Sequence, residues 1–161
     1  MKQARKGIDM VILGNEKGDG ADRPLYRALA IGDYPGAWLL ARPLLEPGRA
    51  DCLSASTAFN CGLCLFMLEE YERALMPLRR AERLLGSPAG LNVAERKGFL
   101  QAVSVSKNTA LLPLDPEGEE GMGRYCLIRV RWLTALCLVR LERKQEAAPV
   151  LRFLEQYHIE I

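Results

Sequence analysis

Residues 54–85 read SASTAFNCGLCLFMLEEYERALMPLRRAERLL, and GSP follows at 86–88. Apolar residues recur here at steps of three and four, the period of a helix, and not at the step of two that a half-buried strand shows. Ser54 or Ser56 is the residue type that caps a helix by accepting from its free backbone amides, and Gly86-Ser87-Pro88 is a stop. Glu69-Glu70 interrupts the apolar pattern between these points. The stretch therefore predicts one helix ending near Leu68, a short turn, and a second helix from Tyr71 to Leu85.

The first of these helices contains Cys61-Gly62-Leu63-Cys64. A reactive Cys-x-x-Cys places its first sulfur at a helix N-terminus, where unpaired amides and the helix dipole stabilise a thiolate. With a start at Ser54 to Ser56, Cys61 lies more than a turn inside, and no apolar strand leads into it. A structural zinc site takes about four ligands. Cys52, Cys126 and Cys137 are isolated and His158 is the single histidine, so no second pair has metal-like spacing. The two thiols are expected to act as small apolar residues, and no cofactor or metal is implied.

Outward from this pair, Gly62 precedes Ala74 by twelve residues, and the same step links Gly98 to Ala110 and Ala135 to Ala147. Upstream, Gly32-Asp33-Tyr34 is followed by Ala37, with Leu25 in the place of the small residue. Ala37, Ala74, Ala110 and Ala147 are separated by 37, 36 and 37 residues, and ALMPL at 74–78 is echoed by ALLPL at 110–114. Small residues at such steps let two helices cross closely. Four helix pairs fit, the third degenerate because its second helix would run into Asp115-Pro116-Glu117-Gly118 and a glycine-rich loop; a single long helix over 91–112 is the alternative there. Pro43, Pro77 and Pro149 fall within or just after the first turn of second helices and are expected to bend them.

Ala58, Asn60, Gly62 and Leu65, then Tyr71, Ala74, Leu78 and Ala81, resemble the signature of a tetratricopeptide repeat, whose period is about 34 residues. The resemblance covers most of the chain from Ala21 onward. It implies an all-α fold, a right-handed stack of antiparallel helix hairpins over 21–161, preceded by an irregular N-terminal segment at 1–20. It also implies a concave surface, lined by the first helices, that holds peptides. Phe59, Asn60, Leu63, Phe66 and Met67 would face that groove, and Arg129, Trp132, Leu136 and Arg140 would match them in the last unit. Some family members grip carboxylate tails with basic and amide side chains; Asn60 and Arg129 match such places, whereas Asp22 and Tyr26 do not.

The helix over 54–68 is apolar almost all round, so its second stripe calls for a cover. That cover is a partner's apolar segment, or the chain's own acidic loop or N-terminal segment, or a second copy. The resulting expectation is a cytoplasmic, non-catalytic adaptor or chaperone-like scaffold for a protein or peptide partner. Two other readings remain at this point: a regulatory protein that meets nucleic acid through the basic hairpin at 124–152, and a thiol oxidoreductase centred on Cys61 and Cys64.

Composition bounds these readings. A chain of 161 residues, 49% apolar and 26% charged, is the size and type of one globular domain with a real core. Its net charge of +2 favours no partner class. Arg124, Arg129, Arg131, Arg140, Arg143, Lys144 and Arg152 are offset by only Glu142 and Glu146 in their stretch, but Asp115, Glu117, Glu119 and Glu120 precede it. No stretch reaches the roughly 18 to 20 apolar residues that cross a bilayer. The apolar run at 8–13 is short, carries Asp9 and lacks a cleavage pattern, which argues against a secretion signal. GNEKGDG at 14–20 lacks the Lys-Ser/Thr ending of a phosphate loop and the closing Glu of a calcium loop. Five scattered cysteines fit a reducing compartment.

Overall fold

The computed structural model describes residues 20–105, 108–118 and 122–161, and among these it is all-helical with no strand. Seven helices follow in order: α1 (Asp22–Ala30), α2 (Tyr34–Leu44), α3 (Ala55–Met67), α4 (Tyr71–Leu85), α5 (Val93–Val105), α6 (Gly123–Arg140) and α7 (Lys144–Glu155). Six of them form three pairs joined by tight turns. The expectations for 1–19, including the loop at 14–20, lie outside the described residues.

The three turns are built alike. Gly32, Glu69 and Glu142 have φ of 77°, 61° and 58°, the left-handed conformation that ends helices. Each donates its N–H to the carbonyl three residues back, namely Leu29, Phe66 and Val139. The next residue, Asp33, Glu70 or Arg143, donates to the carbonyl five back, at Ala28, Leu65 or Leu138. Orphan carbonyls at the end of each first helix are thereby satisfied. The same pattern ends α7, where His158 has φ of 56° and the N–H of Ile159 donates to Leu154. His158 thus completes a helix end.

Helix starts are equally local. The Ser54 side chain accepts from the Thr57 N–H at 3.3 Å and starts α3, and Asp33 accepts from Gly36 at 3.0 Å to start α2. Pro43, Pro77 and Pro149 lie inside α2, α4 and α7.

Packing runs from pair to pair. α1 meets α2 and α3, α2 meets α3, and α3 lies along α4. Next to α4 comes α6, not α5, and α6 pairs with α7. The small-residue crossing holds in the second pair: a Cβ on Gly62 would stand 2.7 Å from Cγ of Leu78, so only glycine lets α3 and α4 close to this distance. Ala135 and Ala147 are buried in the third pair. One apolar core runs through α1, α2, α3, α4 and one side of α6. A second, formed by Phe99, Ile128, Trp132, Ala135, Leu154 and Tyr157, fills the other side of α6.

The segment 86–122 departs from the expected third hairpin. Its described residues hold α5 and then a 3-10 turn at Thr109–Leu111, so Ala110 opens no second helix, and three helix pairs with an interposed segment stand where four units, the third degenerate, were expected. The alternative of one helix over 91–112 also fails, since Thr109–Leu111 is a 3-10 turn and Leu112 is extended. Gly98 sits at no close crossing, because a Cβ there would meet nothing within 4 Å. α5 has its own start signal, a reciprocal cap in which Asn92 Oδ1 accepts from the Glu95 N–H at 2.8 Å and a Glu95 carboxylate oxygen accepts from the Asn92 N–H at 2.9 Å. It makes none of the larger helix-to-helix contacts and is held mainly by Phe99, which meets Tyr125 and Tyr157 edge-on.

Candidate binding site

The face shared by α3 and α6 carries the residues that sequence singled out, and part of the interposed segment lies on it. Asn60 is fully buried in the middle of α3. Its carboxamide donates to the Leu114 carbonyl at 2.8 Å and accepts from the Leu114 N–H at 2.8 Å. Such a two-bond contact reads main chain and not side-chain identity. The Leu114 side chain is itself buried, in the same core as Phe59 and Leu63.

Arg129, on α6, holds the same segment two residues earlier. One guanidinium nitrogen donates to the Leu112 carbonyl and the other to the Tyr125 hydroxyl at 2.9 Å. The guanidinium carbon lies 5.5 Å from the centre of the Phe59 ring and 5.7 Å from that of Tyr125, over both faces. Arg129 is only 2% exposed and its Nε has no hydrogen-bond partner. Burial lowers its pKa from the ordinary value, with Tyr125 opposing, yet a guanidinium keeps its charge at any ordinary pH. It has no carboxylate partner among the described residues.

The face is therefore not open. Phe59, Asn60, Leu63, Phe66, Arg129 and Trp132 are buried, Met67 and Leu136 are partly buried, and Arg140 is exposed. Phe59, Asn60 and Arg129 come together under residues 112–114. Phe66 turns its ring toward Tyr71, 5.2 Å away. Trp132 belongs to the second core with Phe99 and Leu154 and does not join them. Beside the covering segment, a cleft of about 450 Å³ opens between Leu112, Pro113, Met67 and the turn at Ile31 and Gly32.

A larger cleft of about 620 Å³ lies between α5 and the start of α6, lined by Leu91, Phe99, Ala102, Met122, Tyr125 and Arg124 among others. Sequence reasoning did not find it. The Asn92-x-x-Glu95 cap is the sequence signal that marks the start of α5.

The cysteine pair sits in the core. Cys61 and Cys64 are reduced and buried inside α3. Burial raises both thiols, Cys61 strongly and Cys64 to about 11, so neither is a thiolate at neutral pH. No group of three or more His, Cys, Asp or Glu that could hold a metal ion occurs among the described residues.

Most of the basic stretch is tied into the fold. Arg131 pairs with Glu82 at 2.9 Å and lies 4.1 Å from the Phe153 ring centre. Arg143 pairs with Glu72, Arg124 lies over Phe153, and Arg129 is buried. Arg140, Lys144 and Arg152 remain exposed. No helix among the described residues is long and apolar enough to cross a membrane.

Compared with models of protein families, with curated proteins and with solved structures, the chain finds no match.

Proposed function

We propose that the chain is a non-catalytic helical-hairpin scaffold, similar to tetratricopeptide repeats in a right-handed stack, that binds a protein or peptide partner in the cytoplasm as an adaptor or chaperone-like module. The observation that carries this reading is the Asn60 carboxamide, which grips both main-chain polar groups of one residue, Leu114, in a buried site. A core residue that serves only packing has no need of a main-chain reader at the centre of a helix that is otherwise apolar. Arg129, Phe59 and Tyr125 add the cation and aromatic surfaces that dominate protein interfaces. The turns repeated at Gly32, Glu69 and Glu142 support the repeat architecture, and five cysteines without a disulfide suit a reducing compartment.

In this mechanism the partner contributes an extended segment whose main chain bonds to Asn60, whose apolar side chain enters the core beside Phe59 and Leu63, and whose approach crosses the exposed Arg140 end of α6. Selection of a displayed random-peptide library on the full chain tests it. The expected result is enrichment of peptides that bind one-to-one by calorimetry and lose at least tenfold in affinity with Asn60→Ala, a variant checked first for retained helicity. Failure to enrich any peptide, or affinities indifferent to Asn60, overturns the reading.

A further inference from the structure

We infer that residues 109–114 are a displaceable internal ligand, occupying the α3/α6 face until an extended peptide with a leucine-like side chain takes their place. This rests on the scaffold reading above and adds the partner's chemistry and its regulation.

Three observations point the same way. The contacts that hold the segment are ones another peptide reproduces. Asn60 binds the Leu114 N–H and carbonyl, and Arg129 binds the Leu112 carbonyl. Apart from the Leu114 side chain, nothing in these bonds depends on this sequence.

The fit is also incomplete. The Arg129 guanidinium is buried with Nε unmet and, among the described residues, has a carbonyl and a phenol but no carboxylate for its charge. Leu112 leaves half of its surface in solvent, and the cleft beside Met67 runs along its edge. A competing chain therefore has a place to start.

Finally, the segment hangs between weakly held parts. On one side is α5, without any of the larger helix contacts. On the other is the acidic stretch at 115–118, whose Glu117 pairs with Arg23 of α1 at the surface, where Glu117 is largely and Arg23 partly exposed and salt screens the bond. Thr109, through its hydroxyl to the Ala102 carbonyl at 3.3 Å, ties the segment to α5, and Ala110 beside it is buried against α6. Leaving together, the segment and α5 would withdraw Phe99 and Ala110 from the core beside α6 and Leu114 from the core beside α3, and a competing leucine-like side chain would refill only the last of these places.

The test uses a labelled synthetic peptide, NTALLPLD, copied from residues 108–115, and fluorescence anisotropy. Leu114→Ala in the full chain removes the anchor of the internal copy and keeps Asn60 and Arg129. That variant is expected to bind the peptide at least tenfold more tightly than the unaltered chain, and a peptide with its own final leucine changed to alanine is expected to lose the binding. Equal affinity for both chains, or no binding to a Leu114→Ala chain of normal helicity, overturns the inference. Should that variant not fold, hydrogen exchange on the unaltered chain decides. Unlabelled peptide should speed exchange of the Leu114 amide and leave α3 and α6 protected, and an unchanged Leu114 rate overturns the proposal. A library peptide that binds while Leu114 stays protected removes the internal ligand alone. Binding of NTALLPLD with no library peptide enriched removes the general scaffold reading instead.

Discussion

Gly62 faces Leu78 across the α3/α4 crossing so closely that a single added carbon would stand 2.7 Å from Cγ of Leu78. Gly62→Ala is expected to cost about 1–3 kcal/mol, as overpacking does, although alanine is the better helix former. Gly98 on α5 is the control, since a Cβ there meets nothing within 4 Å. Gly98→Ala should hold or raise stability, by up to about 1 kcal/mol from helix propensity. Urea unfolding of the two variants measures the contrast.

Asn60→Ala leaves the N–H and carbonyl of Leu114 buried and unmet. The expected loss is about 1–3 kcal/mol in chemical denaturation, with faster exchange confined to 109–114. A loss of the same size spread evenly over α1 to α4 would mean that Asn60 supports the stack and not the segment.

Phe66→Asp would bury a carboxylate at a site 9% exposed beside Tyr71, so it should disrupt folding and is no clean probe of binding. Arg140→Glu, at the exposed end of α6, should leave the thermal midpoint within about 2 °C, consistent with surface changes of within about 0.5 kcal/mol. Circular dichroism melts of both variants check this.

The buried thiols set a pH dependence. Cys64 is raised to about 11 and Cys137 to about 12 by burial, so the folded chain holds these protons more tightly than the unfolded chain. Their contribution to stability is complete below the unfolded thiol pKa of about 8.5 and is lost as pH rises from there toward the folded values. The melting temperature is expected to fall between pH 8 and 10.5, and a Cys137→Ala variant, whatever its stability at pH 7, should show a shallower fall. At pH 7.5 an aromatic disulfide reagent should modify Cys52, the exposed thiol, well before the other four.

Glu69 and Glu142 adopt a left-handed backbone that a side chain disfavours. Glu69→Gly and Glu142→Gly should each raise stability by about 0.5–1 kcal/mol, the sterics relieved in the turn exceeding the entropy gained by the unfolded chain. Thermal melts at one pH measure both.

The second hairpin was legible almost to the residue, because Ser54, Glu69-Glu70 and Gly86 are local signals with local causes. The third hairpin was not. ALMPL at 74–78 is helical, whereas ALLPL at 110–114 is a 3-10 turn followed by extended chain. Pro113 disfavours a helical Leu112, which has φ of −86° and ψ of 138°. Pro77 lies well inside α4, where packing on α3 and α6 overrides the same preference. Phe59, Asn60, Leu63, Phe66 and Met67 lie on α3 as the periodicity placed them, but their exposure was not legible. Whether Phe59 and Arg129 meet solvent depends on the Leu112 carbonyl, 17 residues from Arg129, and no periodicity carries that information. The Asn92/Glu95 cap was local and could have been found.

The two ends of the interposed segment meet. Pro88 lies so near Gly123 that a Cβ on the glycine would stand 3.1 Å from Cβ of the proline. The chain thus leaves the stacked hairpins after Pro88 and re-enters them at Gly123 through one doorway. A short bridge from Pro88 to Gly123 would span that doorway, strip Phe99 and Ala110 from the core beside α6, and leave the Asn60 side chain with no neighbour to hold, turning a self-contained chain into an open receptacle.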